Sequence, residues 1–327
     1  MKYPQFLLTA ALLSLAACQE KEEADPFVVP PAPVFRNPII TNKFSADPAA
    51  LVHNGRVYVY AGRDEAAVGQ NQYVMNEWLC YSSADMVTWQ EHPSPLNVQA
   101  FAWARADAWA SQVVERGGKF YWYITADHRT VPGKAIGVAV ADSPTGPFRD
   151  ARGSALITNA MTTAVSSFFD DIDPTVIIDD AGQAWLYWGN TACYYARLKP
   201  NMTELDGPIQ TVSLPDFTEA PWVHKRGKWY YLSYASGFPE RISYAMSRRP
   251  DGPWQPKGLL TDFPTNSNTS HQAIISFKGR DYFVYHNGSL PGGGSYRRSV
   301  CVDYLTYNAD STLQTVNMTT LGVSPAQ

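Results

Sequence analysis

Cysteine, charge and long apolar runs are all scarce in this chain, and each shortage excludes a class of protein. Four cysteines in 327 residues make no disulfide framework. Cys80, Cys193 and Cys301 fall in strand-like runs without metal-ligand spacing, which predicts buried thiols. Charged residues are 17% of the chain, and 26 Lys and Arg against 30 Asp and Glu leave a net charge of −4. Without a basic footprint, nucleic acid is excluded as a partner. No segment carries the pattern of a long amphipathic helix. Aromatics, by contrast, reach 13%, with 10 Trp and 19 Tyr. They fit pleated strands, and they also fit platforms for sugar rings.

The N-terminal segment reads as export signal rather than fold. Lys2 precedes a short apolar run, Phe6 to Ala17, which is too short to span a bilayer and suits a signal-peptide core. Leu15-Ala16-Ala17-Cys18 resembles a bacterial lipobox, which implies a lipid on Cys18. The expected organisation is a lipoprotein signal peptide over 1–17, an acidic and Pro-rich tether over 18–36 and one folded domain over 37–327. The acidic run after Cys18 resembles export signals of Bacteroidetes surface lipoproteins. It implies a membrane-anchored protein in the periplasm or on the outer-membrane surface of a Gram-negative cell.

One phrase organises the remainder. Asp47-Pro48 leads through an alternating apolar stretch to Asn54-Gly55 and then Val57-Tyr58-Val59-Tyr60, the signature of a two-residue hairpin. It returns from Asp107 to Gly118, Asp173 to Gly182, Glu219 to Gly227 and His271 to Gly279. The offsets from head residue to glycine are 8, 11, 9, 8 and 8. Further strand runs follow in the copies, for example Trp78 to Ser83 and Ile242 to Met246, each leading to a turn closed by an aromatic. Units that cannot bury their own faces, repeating every 46 to 66 residues, predict an all-β fold, a five-bladed β-propeller of four-stranded sheets. Val300 to Tyr307 and Leu313 to Met318 are expected to complete the last sheet, which leaves no room for a further C-terminal domain. Long insertions at 61–77, 91–105, 150–169 and 286–297 are expected to wall one face.

Innermost strands of a propeller start at its axis, so the five head residues converge on one pocket. Three are acids close to proline: Asp47-Pro48, Asp173-Pro174 and Glu219-Ala220-Pro221. The proline is expected to hold the preceding residue extended. Carboxyls crowded in one place raise one another's pKa, a cost that a purely structural site avoids. Asp107, Asp170 and Asp171 lack the combination of head position and proline neighbour. Two carboxyls across a glycosidic bond suit hydrolysis, one protonating the leaving oxygen and the other acting on water or the sugar. Of the six histidines only His271 heads a blade. His53, His92, His128, His224 and His286 read as ordinary strand or loop residues. Arg297 and Arg298 are neighbours on a strand, so only one can enter the pocket.

Ser45-Ala46-Asp47-Pro48, Asp171-Ile172-Asp173-Pro174-Thr175-Val176, Thr218-Glu219-Ala220-Pro221-Trp222 and Asp107-Ala108-Trp109-Ala110 together resemble glycoside hydrolase family 43. The resemblance covers nearly everything from Asn37 onward. It implies a five-bladed enzyme that inverts the anomeric centre, with Asp47 as general base, Glu219 as general acid and Asp173 orienting the acid and raising its pKa. It implies that Arg298 binds the terminal sugar and that Trp109 belongs to the sugar pocket. His271 would be the axial histidine, near a cation or its waters. No cofactor is needed for the chemistry, though the axis could hold a structural Ca2+ or Na+. Ser111-Gln112 departs from the family's proline and acidic residue at that point.

Met75-Asn76-Glu77-Trp78 and Leu290-Pro291-Gly292-Gly293 are most similar to members acting on arabinofuranosyl side chains. The expected activity is an exo-acting, monomeric α-L-arabinofuranosidase that trims plant-type oligo- or polysaccharides. A β-D-galactofuranosidase or β-D-xylosidase is the alternative on the same scaffold, and a non-catalytic glycan-binding lipoprotein the alternative from another class. A fructan-cleaving propeller would carry asparagines around Asp47, and a sialidase an arginine triad and a tyrosine; neither pattern occurs.

Overall fold

A computed structural model of the chain describes Met1 and residues 36–327. The signal segment, Cys18 and the tether up to residue 35 lie outside the described residues. Among the described residues no helix is long and apolar enough to cross a membrane.

Five antiparallel sheets follow one another along the chain. Blade 1 is β1 (Ser45–His53), β2 (Arg56–Arg63), β3 (Glu77–Ser83) and β4 (Gln90–Asn97). Blade 2 has split inner and outer positions: β5 (Ala104–Ala106) and β6 (Ser111–Arg116) both pair with β7 (Lys119–His128). Beyond it come β8 (Lys134–Ala141) and the short β9 (Arg149–Asp150) and β10 (Ile157–Thr158). Blade 3 is β11 (Thr175–Ile178), β12 (Ala184–Trp188), β13 (Cys193–Leu198) and β14 (Gln210–Val212). Blade 4 is β15 (Phe217–Arg226), β16 (Trp229–Ser236), β17 (Arg241–Ser247) and β18 (Gln255–Thr261). Among the described residues blade 5 has three strands, β19 (Gln272–Phe277), β20 (Arg280–Asn287) and β21 (Ser299–Leu305).

The first hairpin shows why the phrase folds as it does. Asn54 and Gly55 take φ of 46° and 71°, the left-handed pair that matches the twist of the strands they join. His53 then pairs with Arg56, and alternate residues Val57 and Val59 turn into the core. The inner strands touch in a ring: β1 packs on β6 and β19, β11 on β6 and β15, and β15 on β19. Apolar clusters fill the gaps between blades. Trp78 and Trp122, for example, join blades 1 and 2, and Ile136 and Trp188 join blades 2 and 3. These tryptophans are fully buried, the placement in which truncation to Ala costs roughly 3–5 kcal/mol.

Three expectations are corrected. Segment 91–105 is not an open insertion, because β4 runs through residue 97, with polar residues facing solvent on the outer edge, and β5 begins at Ala104. Leu313 to Met318 forms no strand, only a bridge from Leu313 to Tyr307. The outer edge of blade 5 is instead covered by the start of the domain. Ile39 N–H donates to Val300 O at 2.8 Å, and the Asn37 side chain brackets Val302 with bonds of 3.0 and 2.8 Å. Ser45 N–H reaches Arg298 O at 2.8 Å. The ring is thus closed by residues 37–45 running from blade 5 into blade 1. Finally, the residues before proline are not extended. Asp47, Asp173 and Ala220 take φ of 52°, 60° and 53°, and Asp107 takes 68°. The β1–β2 register shifts between Ala46 and Ala49, and β15 shifts at Glu219, so a bulge turns the head of each of these two strands.

Candidate active site

A cavity of about 350 Å³ lies over the heads of the inner strands. Asp47, Trp109, Asp173, Glu219 and Arg298 line it, and His271 lies buried beside it. Its wall is completed by Tyr73 and Met75 from insertion 61–77, Phe169 from insertion 150–169, Asn190, Phe238 and Thr269. From insertion 286–297, Tyr296 packs on Tyr73 with ring centroids 4.8 Å apart.

On the side of blades 1 and 5, Asp47 lies against a guanidinium and two imidazoles. Arg298 Nη1 donates to its Oδ1 at 2.8 Å, and the Asp47 backbone N–H donates to His286 Nδ1 at 3.1 Å. His286 Nδ1 also lies 3.3 Å from Asp47 Oδ1. Arg298 is fixed in turn by Asp64, a buried acid that takes Nε at 2.9 Å and Nη2 at 3.0 Å. The Arg298 guanidinium lies 4.7 Å from the centre of the Tyr73 ring. Burial works against a charge on Asp47, but Arg298 first, then His286 and His271, hold its carboxyl far below the usual range. Asp47 is therefore ionised at neutral pH. Arg297 turns away and reaches Gly292 O and, at 3.0 Å, Ala67 O.

The carboxyls of blades 3 and 4 pair with no Lys or Arg among the described residues. Asp173 Oδ2 accepts Ala220 N–H at 2.9 Å, and its own N–H donates to Thr125 Oγ1 at 3.1 Å. Glu219 Oε2 accepts the Asn190 side chain at 2.7 Å. Burial, and after the opposing Asn190 bond the charge of Asp47, push Glu219 up to about 7. Burial, then the charges of Glu219 and Asp47, push Asp173 well up. These two carboxyls cannot both be ionised near neutral pH, so they hold at least one proton between them. One pocket thus holds an ionised carboxylate and a protonated carboxyl, the division of labour that hydrolysis of a glycoside needs.

His271 Nδ1 stands 3.8 Å from Asp47 Oδ1 and 3.9 Å from Asp173 Oδ2, too far for hydrogen bonds. Burial, against the field of Asp47, lowers it to about 4, so it is a neutral imidazole. Among the described residues no three His, Cys, Asp or Glu side chains converge as metal ligands.

Trp109 stacks on Phe169 at 6.0 Å and 6°, with Lys134 Nζ 3.7 Å from the centre of its ring. Asp107, the second head residue, pairs with Lys134 instead of entering the acid cluster. The Ser111-Gln112 departure has a structural use. Ser111 Oγ accepts Trp122 Nε1 at 2.8 Å, and Gln112 Oε1 takes Val176 N–H and so ties blade 2 to blade 3. His286 is corrected from an ordinary strand residue to a neighbour of Asp47. It ends a middle strand, β20, and no head position marked it. Asp64, Asn190 and Glu240 were likewise without a repeat signal, since each follows or precedes a strand at a place that varies between blades.

The profile of glycosyl hydrolases family 43 matches residues 35–313. The chain belongs to this family. Its members are glycoside hydrolases that invert the anomeric centre. An arabinoxylan arabinofuranohydrolase of Bacillus subtilis is 31% identical over 88% of this chain and 65% of its own length. The chain thus spans just under two thirds of that relative. A solved α-L-arabinofuranosidase of Clostridium thermocellum is 36% identical, with a TM-score of 0.72 over 87% of this chain and 97% of its own. A β-xylosidase/α-arabinofuranosidase from a compost metagenome, solved with xylotriose in a calcium-free form, is 28% identical. Its TM-score is 0.76 over 85% of this chain and 96% of its own.

Proposed function

We propose that this family 43 enzyme releases terminal α-L-arabinofuranosyl residues from plant-type glycans. In this reading Asp47 activates water, Glu219 protonates the leaving oxygen, and Asp173 holds the Ala220 backbone beside the acid while sharing its proton. Arg298 and Trp109 bind the terminal sugar, and His271 sits neutral beside the base. The observation that carries the reading is the contrast in contacts within one cavity: Asp47 lies 2.8 Å from the Arg298 guanidinium, whereas Glu219 meets only the Asn190 amide at 2.7 Å. Tyr73, Met75, Trp109, Phe169 and Phe238 wall the cavity, which supports exo action over internal cleavage. The arabinofuranosidases among its relatives support the sugar. β-D-Xyloside and β-D-galactofuranoside activity are the alternatives, the first supported by the relative bound to xylotriose.

Aryl α-L-arabinofuranoside, β-D-xyloside and β-D-galactofuranoside are to be assayed side by side, with the first product anomer followed by NMR. Turnover of the arabinofuranoside with inversion is expected. Turnover of either alternative alone overturns the sugar and leaves the acid and base in place. Export as a lipoprotein through Cys18 belongs to the same reading. Labelled palmitate should enter the protein in cells and fail to enter a Cys18→Ser variant.

A further inference from the structure

Glu240 reaches the cavity by a route the repeated phrase does not describe. It sits just after Phe238-Pro239, in the turn between β16 and β17, and only 2% of it is exposed. It nevertheless lines the same cavity as Asp47, Asp173 and Glu219. Its Oε2 accepts Ser270 N–H at 2.7 Å, and its backbone N–H donates to Asn268 O at 3.0 Å. The turn is thereby fastened to the segment that enters blade 5, and the carboxyl cannot swing away. Oε1 takes no partner from the described residues and is not sealed from the cavity.

No cation balances this carboxyl. Arg298 is spent on Asp64 and Asp47, and no Lys, Arg or His pairs with Glu240 among the described residues. A buried, unpaired carboxylate is strongly disfavoured, so the group keeps its proton. Burial, and then the charge of Glu219, push it up to about 10. With Oε2 occupied by a donor, the proton belongs on Oε1, beside the space where a ligand sits. A buried donor aimed into a sugar pocket discriminates strongly, because a substrate lacking the matching hydroxyl leaves it unpaired.

We propose that Glu240 is a substrate-binding residue that works as a neutral acid: Oε2 stays on Ser270 N–H and Oε1–H donates to one hydroxyl of the terminal sugar. The inference rests on reading the cavity as the site of a terminal sugar, and it deepens that reading by naming a specificity determinant.

The test compares Glu240→Ala and Glu240→Gln on the aryl glycoside that the enzyme turns over best and on its singly deoxygenated analogues. Glu240→Ala should lower kcat/KM roughly ten- to hundredfold on the parent substrate. Glutamine has the same shape, with one acceptor for Ser270 and one donor for the sugar, so Glu240→Gln should recover at least about tenfold of that loss. On one deoxy analogue, already poor with the parent enzyme, Glu240→Ala should cost nothing further, and that analogue identifies the hydroxyl. Two results overturn the proposal: Glu240→Gln falling as far as Glu240→Ala, or an alanine penalty equal on every analogue. If Glu240→Ala does not fold, Glu240→Met, which fills the space without a donor, takes its place. Should the xyloside prove to be the substrate, deoxyxylosides are used, so an error in the sugar and an error in Glu240 are read separately.

Discussion

The two sides of the cavity hold the same chemical group in opposite states. On the side of blades 1 and 5, Asp47 lies against Arg298 and two imidazoles. On the side of blades 3 and 4, Asp173, Glu219 and Glu240 meet only neutral donors: the Ala220 amide, the Asn190 side chain and the Ser270 amide. Burial opposes ionisation on both sides. A guanidinium 2.8 Å away reverses it on one and nothing reverses it on the other. A family of propellers can thus make a base and an acid from carboxyls at equivalent positions by changing what stands behind them.

Removing the two groups should expose the contrast most directly. Asp47→Ala is expected to lower turnover on all substrates by about 10³- to 10⁴-fold, because every leaving group needs the same activated water. Glu219→Ala should cost as much on natural glycans and far less on aryl glycosides with good leaving groups. Equal losses on both substrates would remove Glu219 as the acid.

Arg298 is the hinge of the contrast. Its loss strands two buried acids, a situation that costs about 3–5 kcal/mol, so it is best tested as Arg298→Met with Asp64→Asn. Asp47 then loses the cation that depresses its pKa, and the acidic limb of the pH profile should move to higher pH. An unmoved limb would show that Arg298 does not set the state of the base.

A smaller effect concerns stability. The pKa of Glu219 is raised from 4.5 to about 7, so folding favours its protonated form. That contribution is fully present below about pH 4.5 and is lost as pH rises through 7. Glu219→Gln should therefore melt a few degrees, ~2–4 °C, above the parent at pH 8 and no higher at pH 4, while losing activity. A gain equal at both pH values would contradict the raised pKa.

The smallest shifts should come from the neighbours of the acid, in opposite directions. Asn190 stabilises the ionised form of Glu219, so Asn190→Ala should move the alkaline limb upward by less than about one pH unit. Asp173→Asn removes a group whose charge competes with that of Glu219, so it should move the same limb downward. Shifts of the same sign would mean that one of the two does not act through Glu219.

Much of this site could be read before folding, because a propeller turns sequence periodicity into spatial convergence. Asp47, Asp173 and Glu219 head equivalent strands and meet in one cavity, and Arg298 rather than Arg297 turns inward. His286, Asp64, Asn190 and Glu240 were not legible. They come from strand ends and turns whose lengths differ between blades, so no spacing marks them. The cover on the edge of blade 5 is not legible for a related reason. Residues 37–45 and β21 stand some 260 positions apart, and their pairing leaves no local pattern.

The sequence by itself determined the strand phrase, its turns and the carboxyls placed at its heads, since alternation, Asn-Gly geometry and repeat length are local properties. Tertiary structure alone decided which of those carboxyls is charged. A pKa depends on burial and on groups that arrive from distant strands: Arg298 lies 251 positions from Asp47, and Ser270 lies 30 from Glu240. Those distances exist only once the ring is closed.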